Sequence, residues 1–133
     1  MNNLNSILLE GNLTRDPEIK YSAKGNCICE FAIASNRFIK LDNEYQKEVS
    51  FFNVVTWSKL AETCSEHLKK GRGVRVVGRL KQDRWTNEEG ENRARIYIIA
   101  EHVEFKPDFS QHSQSAKKRH SVVEENLTEH VTY

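Results

Sequence analysis

The chain has 133 residues, which suits one domain with its own core plus a short appendage. With 38% hydrophobic and 29% charged residues it is not a wholly disordered chain, and a net charge of +1 leaves overall charge silent about a polyanionic partner. Leu4 to Leu13 reads as a strand, with Gly11 marking a bulge or a close backbone approach. Its apolar run Ile7-Leu8-Leu9 stops at Glu10 and has no basic flank, too short for a signal peptide or a membrane span. Asp16-Pro17 marks a turn, Ile19 and Tyr21 resume alternation, and Ala23 to Asn26 is a second turn. Cys27, Cys29, Phe31, Ile33 and Ser35 then alternate with Ile28, Glu30, Ala32, Ala34 and Asn36, a long strand of period two.

The polar stretch Lys40 to Lys47 reads as a loop, and Val49 to Trp57, rich in β-branched and aromatic residues, as a strand. One helix follows. Ser58 is its expected N-cap; Leu60, Ala61, Cys64 and Leu68 share one face; Lys69, Lys70 and Gly71 suit its C-terminal end. Val74 to Trp85 and Ala94 to Phe105 are strands around a polar turn containing Gly90. Three strands, one helix and two strands is the order of an all-β, five-stranded Greek-key OB-fold barrel with its helix between strands 3 and 4. A sandwich and an open α+β sheet are the alternatives. Beyond residue 106 Ser, Gln, His and Lys dominate, so the expected organisation is a domain at 1–106 and a flexible tail at 107–133.

The three cysteines are odd in number and lack further ligands at metal spacing, so they read as buried thiols of a reducing, cytoplasmic compartment. Enzyme signatures are poor. Asp16 and Glu18 could space two carboxylates for a metal nuclease, but a proline turn explains them better. His67 and His102 have no neighbouring nucleophile, and the tail histidines are too dispersed for a metal site. No catalytic residue, metal or cofactor is expected. Between Lys69 and Arg95 nine basic residues face four acidic ones, a local surplus that a mixed, solvated surface would also explain. Phe51, Asn53, Val55 and Trp57 share one strand face; Phe52, Val54 and Thr56 share the other. Either one face is core and the other a contact surface, or both are buried; the pattern leaves both open. Trp85, among Asp83, Arg84 and Thr86 at the mouth of a turn, favours a stacking role.

Ile7 to Leu13 with Asp16-Pro17-Glu18, then Lys59 to Glu62, Leu68 to Gly71, Val77 to Leu80 and Trp85-Thr86, come in an order that resembles the bacterial single-stranded DNA-binding protein family. The resemblance runs from about residue 5 to 105. It implies an OB-fold homotetramer that wraps single-stranded DNA without strong sequence preference, in replication, recombination and repair. It also implies stacking by Phe38, Phe51, Trp57 and Trp85, and phosphate contacts by Lys59, Lys70, Lys81 and Arg84. Two departures stand out. Asn53 takes a position that is often basic, and the tail ends in dispersed glutamates rather than a dense acidic tip, which weakens the case for recruiting repair proteins. The competing functions are a protein-interaction OB module, a metal nuclease, and an RNA chaperone of the cold-shock kind.

Overall fold

The computed structural model describes residues 1–107. The strands are β1 (Ile7–Leu13), β2 (Glu18–Tyr21), β3 (Cys27–Leu41), β4 (Glu44–Trp57), β5 (Gly73–Thr86) and β6 (Asn92–Phe105), with α1 (Ser58–His67) between β4 and β5. They lie in the order β1-β5-β6-β4-β3-β2, and a further β1–β3 pairing closes five of them into the expected OB barrel. The short β2 lies outside the closure, paired to β3 only.

Closure depends on a hand-over in β1. Ile7 to Asn12 pair with β5, while Asn12 and Leu13 pair with Ala34 and Ile33 of β3. A Cβ on Gly11 would lie 2.5 Å from the Ala34 carbonyl oxygen, so only glycine lets the two backbones approach this closely. Gly78 plays the same part at the β5 bulge, where an added Cβ would lie 2.1 Å from the Ile99 carbonyl oxygen.

The period-two pattern of β3 resolves into a core face. Cys27, Cys29, Phe31 and Ile33 point inward to meet Val54, Val74, Val76 and Ile98. Each large apolar side chain fully buried here is worth about 1.5–3 kcal/mol. Ala61 and Cys64 of α1 are fully buried in the same core, which fixes the helix as the barrel's plug. Thr56, the buried polar residue of the described part, donates its hydroxyl to the Cys29 carbonyl at 2.9 Å. All three cysteines are free thiols, and burial pushes Cys29 up to about 11 and Cys64 up to about 12.

Three expectations need correction. The stretch Lys40 to Lys47 is not a loop. β3 and β4 pair continuously from Ile28–Trp57 to Leu41–Glu44, and Asp42 and Asn43, with φ of 50° and 67°, make the tight turn. The polar residues there belong to a ribbon beyond the barrel, where neither face meets a core. Nor does Ser58 cap the helix. The N-cap is Trp57, without a side-chain cap bond, and Ser58 sits in the left-handed region at φ 57°. Strand β4 therefore turns straight into α1 with no linking residue. At the far end the helix stops at His67, so Lys69, Lys70 and Gly71 lie in the connection to β5. No helix among the described residues is long and apolar enough to cross a membrane. The expected tail, apart from Pro107, lies outside the described residues.

Candidate nucleic-acid interface

The open question about β4 resolves by register. Val54 and Thr56 are fully buried on the inward face, and Phe52 packs against the core beside them. Phe51 and Trp57 face outward, 68% and 44% exposed. Cross-strand partners share a face, so Phe51 opposite Ala34, Trp57 opposite Ile28 and Phe38 opposite Lys47 line one side of the β3–β4 ribbon. Phe38 is also 68% exposed. Large apolar rings left in water on one side of a sheet mark a contact surface.

The parallel register of β4 with β6 carries that face across the sheet. Val55 lies beside Ile99, so Arg95 and Tyr97 point outward too, and on β5 so do Arg79, Lys81, Asp83 and Trp85. Trp85 is 48% exposed and stands opposite Arg93 near the tip of the β5–β6 hairpin. An open pocket of ≈ 580 Å³ lies there, lined by Gln82, Arg84, Trp85, Thr86, Asn92 and Arg93 among others. The hairpin turn is held by Asn87, whose Oδ1 accepts the N–H groups of Glu89 at 3.0 Å and Glu91 at 2.8 Å.

The structure thus brings Phe38, Phe51, Trp57, Lys81 and Trp85 onto one face and leaves three expected cations apart. Arg84 pairs with Ala94 on the opposite side of the hairpin from Lys81 and Trp85. Lys59 is exposed in the first turn of α1, two residues past Trp57. Lys70 is exposed beyond the other end of the helix, and its backbone N–H donates to the Asp16 carboxylate at 2.8 Å. That bond gives Asp16 a structural task, tying the β1–β2 turn to the segment before β5. Among the described residues no group of three His, Cys, Asp or Glu side chains could hold a metal ion.

Sequence reasoning missed a polar lattice on the outer face. Tyr97 donates its hydroxyl to the Asp83 carboxylate at 2.9 Å, and Lys81 donates to the same carboxylate at 3.0 Å. The bonds from Lys81 and Tyr97 hold the Asp83 carboxyl below its usual range. The bond from Asp83 holds the Lys81 ammonium above its own, while burial and then that carboxylate push the Tyr97 phenol up. Arg95 sits over the Tyr97 ring at 4.8 Å from its centroid and reaches across β4 to Glu30 of β3 at 3.9 Å. Lys20 of β2 pairs with the same Glu30 at 3.6 Å. Alternation in the last strand could have grouped Arg95 with Tyr97, but which way they point depends on the β4–β6 register.

Comparison with known proteins agrees with this architecture. A family model described as "Single-strand binding protein family" matches residues 4–106. The single-stranded DNA-binding protein of Treponema pallidum is 40% identical over 104 residues, covering 78% of this chain and 58% of that protein. That of Borreliella burgdorferi is 35% identical over 131 residues, covering 98% and 85%. That of Aquifex aeolicus is 42% identical over 101 residues, covering 75% and 68%. The match therefore spans less than two thirds of the Treponema protein. Among solved structures, "Plasmodium falciparum SSB complex with ssDNA" superposes with a TM-score of 0.72 at 25% identity, over 79% of this chain and 97% of the other.

Proposed function

The chain belongs to the single-strand binding protein family, and from that premise we propose that it binds single-stranded DNA without strong sequence preference, protecting it during replication, recombination and repair. It is a binding protein, not an enzyme. The observation that carries this reading is the set of exposed rings, Phe38, Phe51, Trp57 and Trp85, on the outer face of two neighbouring hairpins. Unpaired bases stack on such rings, each for about 1–3 kcal/mol, and the choice of base matters little because every base has a π-face. Lys81 on that face, Arg84 behind it and Lys59 and Lys70 at the two ends of the helix neutralise phosphates. Their dispersion suits a strand that winds around the domain rather than one lying in a single groove. Residues 1–106 form the binding domain and 107–133 a tail, and the protein acts as a cytoplasmic homotetramer.

Titration with oligo-dT and with a duplex, followed through the fluorescence of Trp57 and Trp85, tests this. Quenching and salt-sensitive binding are expected with the single strand, and much weaker binding with the duplex. Equal affinity for the two would overturn the stacking reading, because paired bases hide their faces. No binding to either would leave the aromatic face as a protein-docking surface. Light scattering on the same sample measures the assembly, expected at four chains.

A further inference from the structure

We infer that the Arg95 guanidinium, seated over Tyr97, is an additional nucleobase-stacking position on the outer face, with Tyr97 and Asp83 as its positioning residues; this rests on the reading that the face binds single-stranded DNA. An exposed arginine ordinarily wanders among rotamers. Here the Arg95 guanidinium lies over the Tyr97 ring at 4.8 Å from its centroid, and Glu30 pairs with it at 3.9 Å. The ring is itself tethered, its hydroxyl bonded to Asp83 at 2.9 Å. The cation is thus held by the ring and by Glu30, while the side chain as a whole remains 44% exposed. A delocalised planar cation stacks on the π-face of any base. The position also bridges a gap. In the order β5-β6-β4, Arg95 stands on the strand between Trp85 and the pair Phe51 and Trp57.

The surrounding charges favour a base over a phosphate. Arg95 and Lys20 are answered by Glu18 and Glu30, two against two, through the pairs Lys20–Glu18, Lys20–Glu30 and Arg95–Glu30. A phosphate brought there gains little attraction and meets carboxylates on two sides. A neutral base meets no such repulsion.

The test separates base from backbone. The full chain and the variants Arg95→Ala, Arg95→Lys and Tyr97→Phe are titrated with oligo-dT and with an abasic oligomer of the same length. Lysine keeps the charge and loses the plane; phenylalanine keeps the ring and loses the tether to Asp83. Arg95→Lys is expected to bind oligo-dT about tenfold more weakly, with an unchanged salt slope, and to bind the abasic oligomer as the wild type does. Tyr97→Phe is expected to lose a few-fold on oligo-dT only. Equal losses on both oligomers would make Arg95 a phosphate contact and overturn the inference, as would an Arg95→Ala protein that binds oligo-dT like the wild type. A wild type that fails to bind oligo-dT overturns the DNA reading itself, and this inference with it.

Discussion

The side-chain amide of Asn5 pairs with the backbone of Leu80 as a neighbouring strand would. Its Nδ2 donates to the Leu80 carbonyl at 2.8 Å, and its Oδ1 accepts from the Leu80 N–H at 2.9 Å. Extrapolating the β1–β5 register, in which Ile7 lies opposite Gly78, puts Asn5 opposite Leu80. A side chain thus adds one rung to the ladder before the strand begins. Asn5→Ala is expected to cost about 1 kcal/mol, the net worth of such bonds at an exposed site, read as a lower denaturation midpoint with an unchanged slope. An unmoved midpoint would show that water replaces the pair.

Gly78→Ala should be far more damaging. The new Cβ would fall 2.1 Å from the Ile99 carbonyl oxygen, a backbone atom that cannot swing aside. The expected loss is about 3 kcal/mol, at the upper end for overpacking, visible in urea unfolding. Gly11→Ala, with the Ala34 oxygen 2.5 Å away, should follow the same direction. A wild-type midpoint in either variant would mean that the barrel relaxes where the geometry says it cannot.

Trp85→Ala is expected to weaken oligo-dT binding about tenfold or more, with an unchanged thermal transition, because the ring is half in water and not part of the core. Unchanged affinity would remove Trp85 from the interface.

Lys81 and Arg84 lie on opposite sides of one hairpin, which makes their variants informative together. Each alanine substitution should reduce the slope of log affinity against log salt by about 0.7, the value for one phosphate contact to a single strand. A loss in Lys81→Ala with none in Arg84→Ala would confine the DNA to the outer face.

The buried thiols give a pH dependence of defined sign. Burial raises Cys29 from 9.0 to about 11 and Cys64 from 9.0 to about 12, so their contribution is complete below pH 9. As pH climbs from there toward the folded values, the unfolded chain ionises first and stability falls, by up to about 1.4 kcal/mol per pH unit for each thiol. Cys64→Ala should flatten that alkaline decline. An unaltered decline from pH 9 to 11 would assign it to other groups. A thiol reagent at neutral pH should react only as fast as the protein opens.

The sequence was legible where one side of a strand is dry. Cys27, Cys29, Phe31 and Ile33 repeat every second residue because every second position faces the core, and Leu60, Ala61 and Cys64 repeat as a helix plug must, with Leu68 buried just past its end. Beyond Asn36 the pattern fades, because both faces of the ribbon are wet and no packing selects a residue type. The Lys40–Lys47 stretch therefore looks like a loop until pairing to β4 is seen. The family resemblance gives Lys81, Arg84 and Trp85 their roles without saying which face each takes, and strand alternation separates Arg84 from the other two. The Arg95–Tyr97–Asp83 grouping was out of reach because it needs the register of three strands at once.

The two long hairpins have a kinetic consequence. Past the barrel rim, the β3–β4 ribbon keeps its backbone pairs as far as Leu41 and Glu44, but Phe38, Leu41, Tyr45 and Val49 are exposed and bury nothing against the core. Opening the ribbon from its tip gives up paired amides without uncovering apolar surface, so it can open separately from the barrel. Amide exchange should accelerate stepwise from the rim outward, while Ile33, Val54, Val74 and Ile98 exchange only through global unfolding. A strand of DNA laid along the ribbon would then register first as slowed exchange at its tip, where the free protein has least to lose.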